Sequence, residues 1–316
     1  MRIVILDADT ISNGDVSLAP ITALGDTTVH DLLPAEQLPA VAADAEVLLC
    51  NKAQITKELM DACPHLRFVG VFATGYNNID LAAANARGIT VCNVPGYSTD
   101  AVAQHTIALM LALAGSIPQY DASVHAGDWL RSKQFTYFKF PQTLLTGKTL
   151  GIFGYGAIGS KVAAIGRVLG MDILVHTRSP HKCPDEKTVD RDTLFKESDV
   201  LSMHCPLTAE NERVVNAATL SLMKPTAFFI NTARGGLMDE QAVADALNGG
   251  RIAGAGIDVL THEPMMADNP LLTAKNCILT PHIAWAPPDV RTALVGLVAQ
   301  NVRAFLEGNP NNVIRE

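Results

Sequence analysis

The chain of 316 residues has no excess of positive charge: 24 Lys and Arg stand against 32 Asp and Glu, a formal net charge of −8. That excludes the broad basic footprint by which proteins hold nucleic acid. An anionic substrate would have to be held by local cations against the overall field. Long hydrophobic runs are also missing. The longest apolar helical stretch, Ile107 to Ala114, is far too short to span a bilayer, so no membrane partner is expected. Cysteine is sparse: the six residues at 50, 63, 92, 183, 205 and 277 form no C-x-x-C pair, and several lie in apolar runs such as Leu48-Leu49-Cys50. This predicts buried, reduced thiols in a cytoplasmic protein. No His, Cys and Asp cluster has ligand spacing, so no metal is expected. Met1 to Asp7 reads as a strand without the apolar core and cleavage site of a signal peptide. There is no internal repeat.

What is present is ample apolar material, 48% of the chain, in short β-rich runs that alternate with helical patterns. Strands are predicted at 2–6, 46–50, 67–72 and 89–93, separated by helical stretches near 35–43, 55–62 and 80–87. The pattern restarts with a helix over 99–114, a strand over 149–153, a helix over 157–169 and a strand over 172–176. Further strands follow near 199–204, 226–231, 253–258 and 277–280. Runs such as Ala227-Phe228-Phe229-Ile230 are apolar on both faces, as in a parallel sheet covered on each side by helices. The alternation predicts a doubly wound α/β architecture in two domains. A helix over 289–307, with Val290, Leu294, Leu297, Val298 and Phe305 on its apolar face, follows the linker Ala286-Pro287-Pro288. It is expected to return to the first domain. The domains are then 1–98 with 286–316, and 99–285, with the chemistry in the cleft between them. The aromatic segment 117–146 reads as irregular. It is assigned to a subunit interface, hence a homodimer, with an intrachain lid as the alternative.

The segment Gly154-Tyr155-Gly156-Ala157-Ile158-Gly159 joins the strand 149–153 to a helix whose apolar face carries Ile158, Val162, Ile165 and Leu169. Strand, G-x-G-x-x-G turn and helix form a dinucleotide fingerprint. Gly154 allows the tight turn, Gly156 the close approach of a pyrophosphate, and Gly159 the packing of helix on strand. The helix N-terminus offers free N–H groups and partial positive charge to the phosphates.

Three later stretches place reactive side chains just past successive strands: Ile230-Asn231-Thr232-Ala233-Arg234-Gly235-Gly236, Gly256-Ile257-Asp258-Val259-Leu260-Thr261-His262-Glu263-Pro264, and Leu279-Thr280-Pro281-His282-Ile283-Ala284-Trp285. Ligands bind at the carboxyl ends of strands in an open parallel sheet. Arg234, Glu263 and His282 therefore converge at one edge, a combination suited to reducing the carbonyl of a 2-oxo acid.

With these motifs in family order, and with Phe72-Ala73-Thr74-Gly75-Tyr76-Asn77-Asn78-Ile79-Asp80 near the start, the chain resembles the D-isomer-specific 2-hydroxyacid dehydrogenases almost end to end. Ala73-Thr74-Gly75-Tyr76, Asp100-Ala101-Val102-Ala103-Gln104 and His282-Ile283-Ala284-Trp285 look most like the glycerate dehydrogenase (hydroxypyruvate reductase) branch. The resemblance implies a flavodoxin-like substrate domain and a Rossmann nucleotide-binding domain. Arg234 would bind the substrate carboxylate and polarise the keto oxygen with a planar, charged fork. His282 would be the acid/base, oriented and kept protonated by Glu263. Thr74 and Gly75 would offer backbone N–H groups to the carboxylate. Ala157 and Ile158 would meet the pyrophosphate, Cys205 and Pro206 would line the adenosine side, and Asp258 would hold the carboxamide. Thr232 and Ala233 would border the cofactor, and Thr106 is a further carry-over. For His105, His204 and His262 structural roles are expected.

The cofactor is expected to show itself about 20 residues past the glycine turn, where an NAD enzyme usually carries an acid. Here the stretch is Leu174-Val175-His176-Thr177-Arg178-Ser179-Pro180-His181-Lys182, with no acid. Thr177, Arg178 and Ser179, with His181 and Lys182 beyond, favour the 2′-phosphate of NADP(H). NAD(H) remains the alternative, with Arg178 stacked on adenine. Two other functions are weighed beside hydroxypyruvate or glyoxylate reduction. A phosphoglycerate dehydrogenase is disfavoured because the chain ends soon after the last helix. A cofactor-sensing corepressor of similar fold is disfavoured by the lack of long tails. Formate dehydrogenases carry Gln where this chain has Glu263.

Overall fold

The computed structural model describes residues 1–314, apart from the side chain of Lys182. The chain divides into two compact units, Met1–Ser98 with Ala286–Glu316, and Thr99–Trp285.

The first unit is a five-stranded parallel sheet: β1 (Arg2–Ile5), β2 (Asp26–Val29), β3 (Val47–Cys50), β4 (Phe68–Val71) and β5 (Thr90–Cys92), in the order β2-β1-β3-β4-β5. β3 and β4 are buried along their whole length, as strands with helices on both faces must be. The closing helix Pro288–Leu306 belongs to this unit and sets Phe305 against Phe68, ring centroids 4.9 Å apart. Pro288 is the first residue of that helix, not linker, since a proline is preorganised for a first turn. β2 was not expected: Asp26-Thr27-Thr28-Val29 lies at the sheet edge, partly exposed, and needs no apolar pattern.

The second unit is a six-stranded parallel sheet: β6 (Thr149–Phe153), β7 (Asp172–His176), β8 (Val200–Met203), β9 (Phe228–Asn231), β10 (Gly254–Ile257) and β11 (Cys277–Leu279). The order is β11-β10-β9-β8-β6-β7. Successive side chains go to opposite faces: Phe228 and Ile230 pack with the helix Thr99–Ala114, Phe229 with Phe195 and Met203 on the other side. Each such residue, fully buried, contributes roughly 1.5–3 kcal/mol relative to exposure.

The segment 117–146 differs from the irregular stretch expected. It begins with the helix Ile117–His125, started by Pro118 in its first turn, followed by the short helix Asp128–Arg131. Tyr120 packs edge-on against Phe140 at 5.2 Å and donates its hydroxyl to Phe140 O at 2.9 Å. The aromatics that suggested a loop are thus partly the clasp that ties the loop to this helix. Others, Phe135, Phe138, Leu130 and Leu144, stay exposed.

Of the six thiols, four are buried, and Cys205 and Cys277 are half-buried; none is in a disulfide. Among the described residues no single helix is long and apolar enough to cross a membrane. The helices Thr99–Ala114 and Ile117–His125 reach that length only together, across a 60° bend.

Candidate active site

The strand order of the second unit reverses beside β6, between β7 and β8, and the glycine-rich turn follows β6. Gly154 has φ +98°, and a Cβ on it would lie 2.7 Å from His204 O and 2.8 Å from Cys205 Cβ. The turn is therefore wedged against the chain leaving β8, which puts Cys205 and Pro206 beside the fingerprint. On Gly159 a Cβ would lie 2.2 Å from Gly154 O, so no larger residue lets the helix Ala157–Val168 start so close to β6. Around Gly156, by contrast, a Cβ would meet nothing within 4 Å. The helix behind it has no side-chain cap. Open space over an uncapped N-terminus fits a pyrophosphate. The N–H groups of Ala157 and Ile158 would hold it.

Past the ends of β9, β10 and β11 the three reactive side chains are organised by their own loops. Asn231, the last residue of β9, is buried; its Nδ2 donates to Arg234 O at 2.9 Å, and its Oδ1 accepts from Ala233 N at 3.1 Å. This closes the turn that presents Arg234. The Arg234 guanidinium donates to Ala233 O at 2.7 Å and has no acidic partner among the described residues. A half-buried cation without a counter-ion suits an anionic ligand.

Gly235 ties that turn to the next loop: a Cβ on it would lie 1.8 Å from Leu260 C and 2.2 Å from Thr261 N. In that loop Glu263 accepts the Leu260 N–H through Oε1 at 2.9 Å and faces His282 Nδ1 through Oε2 at 2.7 Å. An ionised carboxylate only accepts, so Nδ1 carries the hydrogen of that bond. Nε2 is left as the atom that exchanges a proton with a ligand.

His282 itself sits in the left-handed region, φ 55°. Its N–H donates to Asp258 O at 2.8 Å. The Asp258 carboxylate is buried and accepts from Ile283 N at 2.9 Å, Ala284 N at 3.0 Å and Thr280 Oγ1 at 2.6 Å. Asp258 is expected from sequence to hold the carboxamide; its carboxylate also bends the chain that carries His282. The Thr280 hydroxyl, its proton given to Asp258, accepts from His105 Nε2 at 3.0 Å.

Residues 107–284 match the family "D-isomer specific 2-hydroxyacid dehydrogenase, NAD binding domain". A hydroxypyruvate reductase of Blautia hydrogenotrophica is 39% identical, with 100% of both chains covered. A glycerate dehydrogenase of Methylorubrum extorquens is 42% identical over 85% of each chain. Among solved structures, an NADPH-dependent glyoxylate/hydroxypyruvate reductase of Sinorhizobium meliloti, in complex with NADP and malonate, has a TM-score of 0.87 at 31% identity, covering 99% of this chain and 96% of that one. The chain belongs to the D-isomer-specific 2-hydroxyacid dehydrogenases.

In this dehydrogenase the second unit is the NAD-binding domain of the family. Thr106 and Thr232, both buried, meet at 2.9 Å between hydroxyls. Thr106 also donates to Val102 O at 2.8 Å, so Thr232 donates to Thr106, which fastens the end of β9 to the helix Thr99–Ala114. Cys205 is half-buried, its thiol pushed up to about 11 by burial, and Pro206 is exposed, its carbonyl accepting from Asn211 Nδ2 at 2.8 Å. After β7, Thr177 Oγ1 accepts from Ser179 N at 3.2 Å, and Arg178 extends into solvent. The stretch 174–182 carries no acid, but an acid from elsewhere in the chain comes near Arg178. Glu210, from the segment after β8, stands 3.7 Å from its guanidinium. His181 is exposed, and the Lys182 side chain lies outside the described residues.

Of the other histidines, His204 is desolvated, its Nε2 is 2.8 Å from Ser202 Oγ, and burial pushes its pKa down to about 3. His262 turns its Nδ1 to Pro264 O, 3.1 Å away. In the first unit Thr74 gives its hydroxyl to Val94 O at 2.9 Å, and its carbonyl accepts from Asn93 Nδ2 at 2.6 Å. These bonds rigidify the turn after β4. The N–H groups of Thr74 and Gly75 have no acceptor among the described residues.

Proposed function

We propose that this dehydrogenase reduces hydroxypyruvate or glyoxylate to the corresponding 2-hydroxy acid, with NADP(H) preferred over NAD(H). The observation that carries the reading is the Glu263–His282 pair at 2.7 Å, with Glu263 on a loop packed against the Gly235 turn that presents Arg234, which has no acidic partner among the described residues. Reduction of a 2-oxo acid needs a group for its carboxylate, a positive charge near the keto oxygen and a proton donor to the forming alkoxide. When bound, the reduced nicotinamide supplies hydride to the carbonyl carbon. Arg234 holds the carboxylate and draws charge onto the oxygen. His282 Nε2 delivers the proton, and Glu263 holds the imidazolium in place through Nδ1. The backbone N–H groups of Thr74 and Gly75, in the first unit, would be further donors for a carboxylate. In the reverse direction His282 takes the hydroxyl proton.

Two lines support the substrate class. Relatives that match 85% or more of this chain are named hydroxypyruvate reductase and glycerate dehydrogenase. The neighbour from Sinorhizobium meliloti is a glyoxylate/hydroxypyruvate reductase. For the cofactor, Thr177, Arg178 and Ser179 supply hydroxyls and a cation where a 2′-phosphate would lie. A homodimer is inferred from the exposed Leu130, Phe135, Phe138 and Leu144 of the arm that follows the helix Ile117–His125. A reducing compartment, the cytoplasm, is inferred from six thiols free of disulfides.

The test is a panel of 2-oxo acids, among them hydroxypyruvate, glyoxylate, pyruvate and 3-phosphohydroxypyruvate, followed by loss of reduced-nicotinamide absorbance with NADPH and with NADH. Hydroxypyruvate or glyoxylate should give the highest kcat/KM, with NADPH ahead of NADH. Turnover of none of the acids would remove the enzymatic reading in favour of a cofactor-sensing one. Analytical ultracentrifugation showing a stable monomer at micromolar concentration would remove the dimer.

A further inference from the structure

We propose that Glu240 is a positioning residue for the Glu263–His282 pair, acting through the backbone of the loop that carries Glu263; the proposal rests on the catalytic reading of that pair. Glu240 opens the helix Glu240–Asn248, after the cap Asp239. Its carboxylate takes no part in capping. Asp239 does that, accepting from Ala242 N at 3.1 Å. Glu240 instead reaches out of the helix and clamps the loop at two points. Oε1 accepts the Thr261 N–H at 2.6 Å, and Oε2 accepts from Asn269 Nδ2 at 2.6 Å.

The clamp is needed because of what lies between its two ends. Residues 261–264 are all exposed, so their side chains add little packing to the Gly235 contact at Thr261. Val259 and Leu271, on either side of the loop, are buried. Asn269 also starts the turn Pro270–Thr273, accepting from Leu271 N at 3.0 Å. An exposed loop between two buried anchors would move freely unless its backbone N–H groups were fixed. Here two consecutive N–H groups are each bound by a carboxylate, Leu260 by Glu263 and Thr261 by Glu240. The second fixes the strand of backbone from which the first takes its geometry. The charge on Glu240 also lies in the first turn of a helix, where the dipole favours it.

A double-mutant cycle on the full-length protein tests this. Glu240→Ala should lower kcat with hydroxypyruvate by about ten- to a hundredfold, the effect of misplacing a catalytic pair. KM and the NADPH dissociation constant, from fluorescence titration, should stay within about twofold. Glu240→Gln should retain most of the activity, because its amide oxygen still accepts from Thr261. In a Glu263→Gln background Glu240→Ala should cost almost nothing further. Wild-type kcat in Glu240→Ala, or its full loss repeated on top of Glu263→Gln, would overturn the proposal. A Glu240→Gln as damaged as Glu240→Ala would do the same. Should Glu240→Ala not fold, Glu240→Asp, which withdraws the carboxylate by one methylene, takes its place in the cycle. If Glu263→Gln alone leaves turnover unchanged, the catalytic reading falls, and the proposal with it; if it lowers turnover and the losses multiply, only the proposal falls.

Discussion

Arg178, after β7, and Glu210, after β8, face each other, Nη1 to Oε2 3.7 Å, with side chains 70% and 80% exposed. So exposed a pair has little weight in stability. Its importance is for the ligand: a 2′-phosphate would have to draw the guanidinium away from a carboxylate, whereas a 2′-hydroxyl would not.

The first prediction therefore has two arms. Glu210→Gln should tighten NADPH and 2′-phosphorylated adenosine fragments severalfold while leaving NADH nearly unchanged. Thr177→Asp with Arg178→Ala should weaken NADPH by about one to two orders of magnitude, the value of a guanidinium–phosphate contact, and shift preference toward NADH. The effect should appear in the cofactor KM, since the 2′ position is remote from the hydride. An unmodified enzyme that prefers NADH tenfold would end the argument before any mutant is made.

His282→Ala should cut turnover by about two to four orders of magnitude, the usual cost of losing an acid/base group. Cofactor affinity should survive, because the pyrophosphate cradle at Gly156 lies after a different strand, β6. Single-turnover and fluorescence measurements separate the two, and near-normal turnover would take His282 out of the mechanism.

Arg234→Lys should not be conservative. Lysine keeps the charge, but it cannot grip a carboxylate with two parallel donors. Both KM and kcat should worsen. A rise in KM alone would mean that Arg234 binds substrate without stabilising the transition state.

His204 gives a pH-dependent stability. Burial holds its pKa at about 3, below the ordinary 6.5. As pH falls below 6.5 the unfolded chain takes up a proton there, and the folded protein does not until about 3. Stability conferred by the neutral imidazole is thus lost progressively across that window as pH falls. Urea unfolding at pH 7 and pH 5 should show a smaller drop for His204→Gln than for the wild type. Equal drops would mean that His204 is not kept neutral.

How far the sequence discloses these features depends on the kind of contact. β6, β7 and the helix Thr99–Ala114 begin and end where the pattern predicts; β6 is buried along nearly its whole length, and even β7, at the sheet edge, keeps the apolar run Ile173-Leu174-Val175. The edge strand Asp26–Val29 escapes, since one flank and much of its surface face water. The neighbourhood of Glu263 and His282 is legible because both follow adjacent strands of a parallel sheet. Asn231, Thr280 and Glu240 are not, as functional residues. They act by side-chain bonds to backbone or to other polar groups, and Glu240 reaches 21 positions along the chain to Thr261, a spacing no motif encodes. Glu210 is missed for a related reason: a window along β7 cannot show what the segment after β8 brings up to it.

Thr99–Trp285 is one uninterrupted run of chain, whereas the other unit is assembled from two runs on either side of it. Arg234, Glu263 and His282, with Asn231, Glu240 and Asp258 that hold them, all lie inside the uninterrupted run. Two crossovers, near Ser98 and near Ala286, would carry the complete proton and charge machinery into a different recipient. Thr74 and Gly75 would stay behind. A new recipient would then vary the acid's other contacts, while the proposed Arg234 grip on the carboxylate would travel with the part that reduces it.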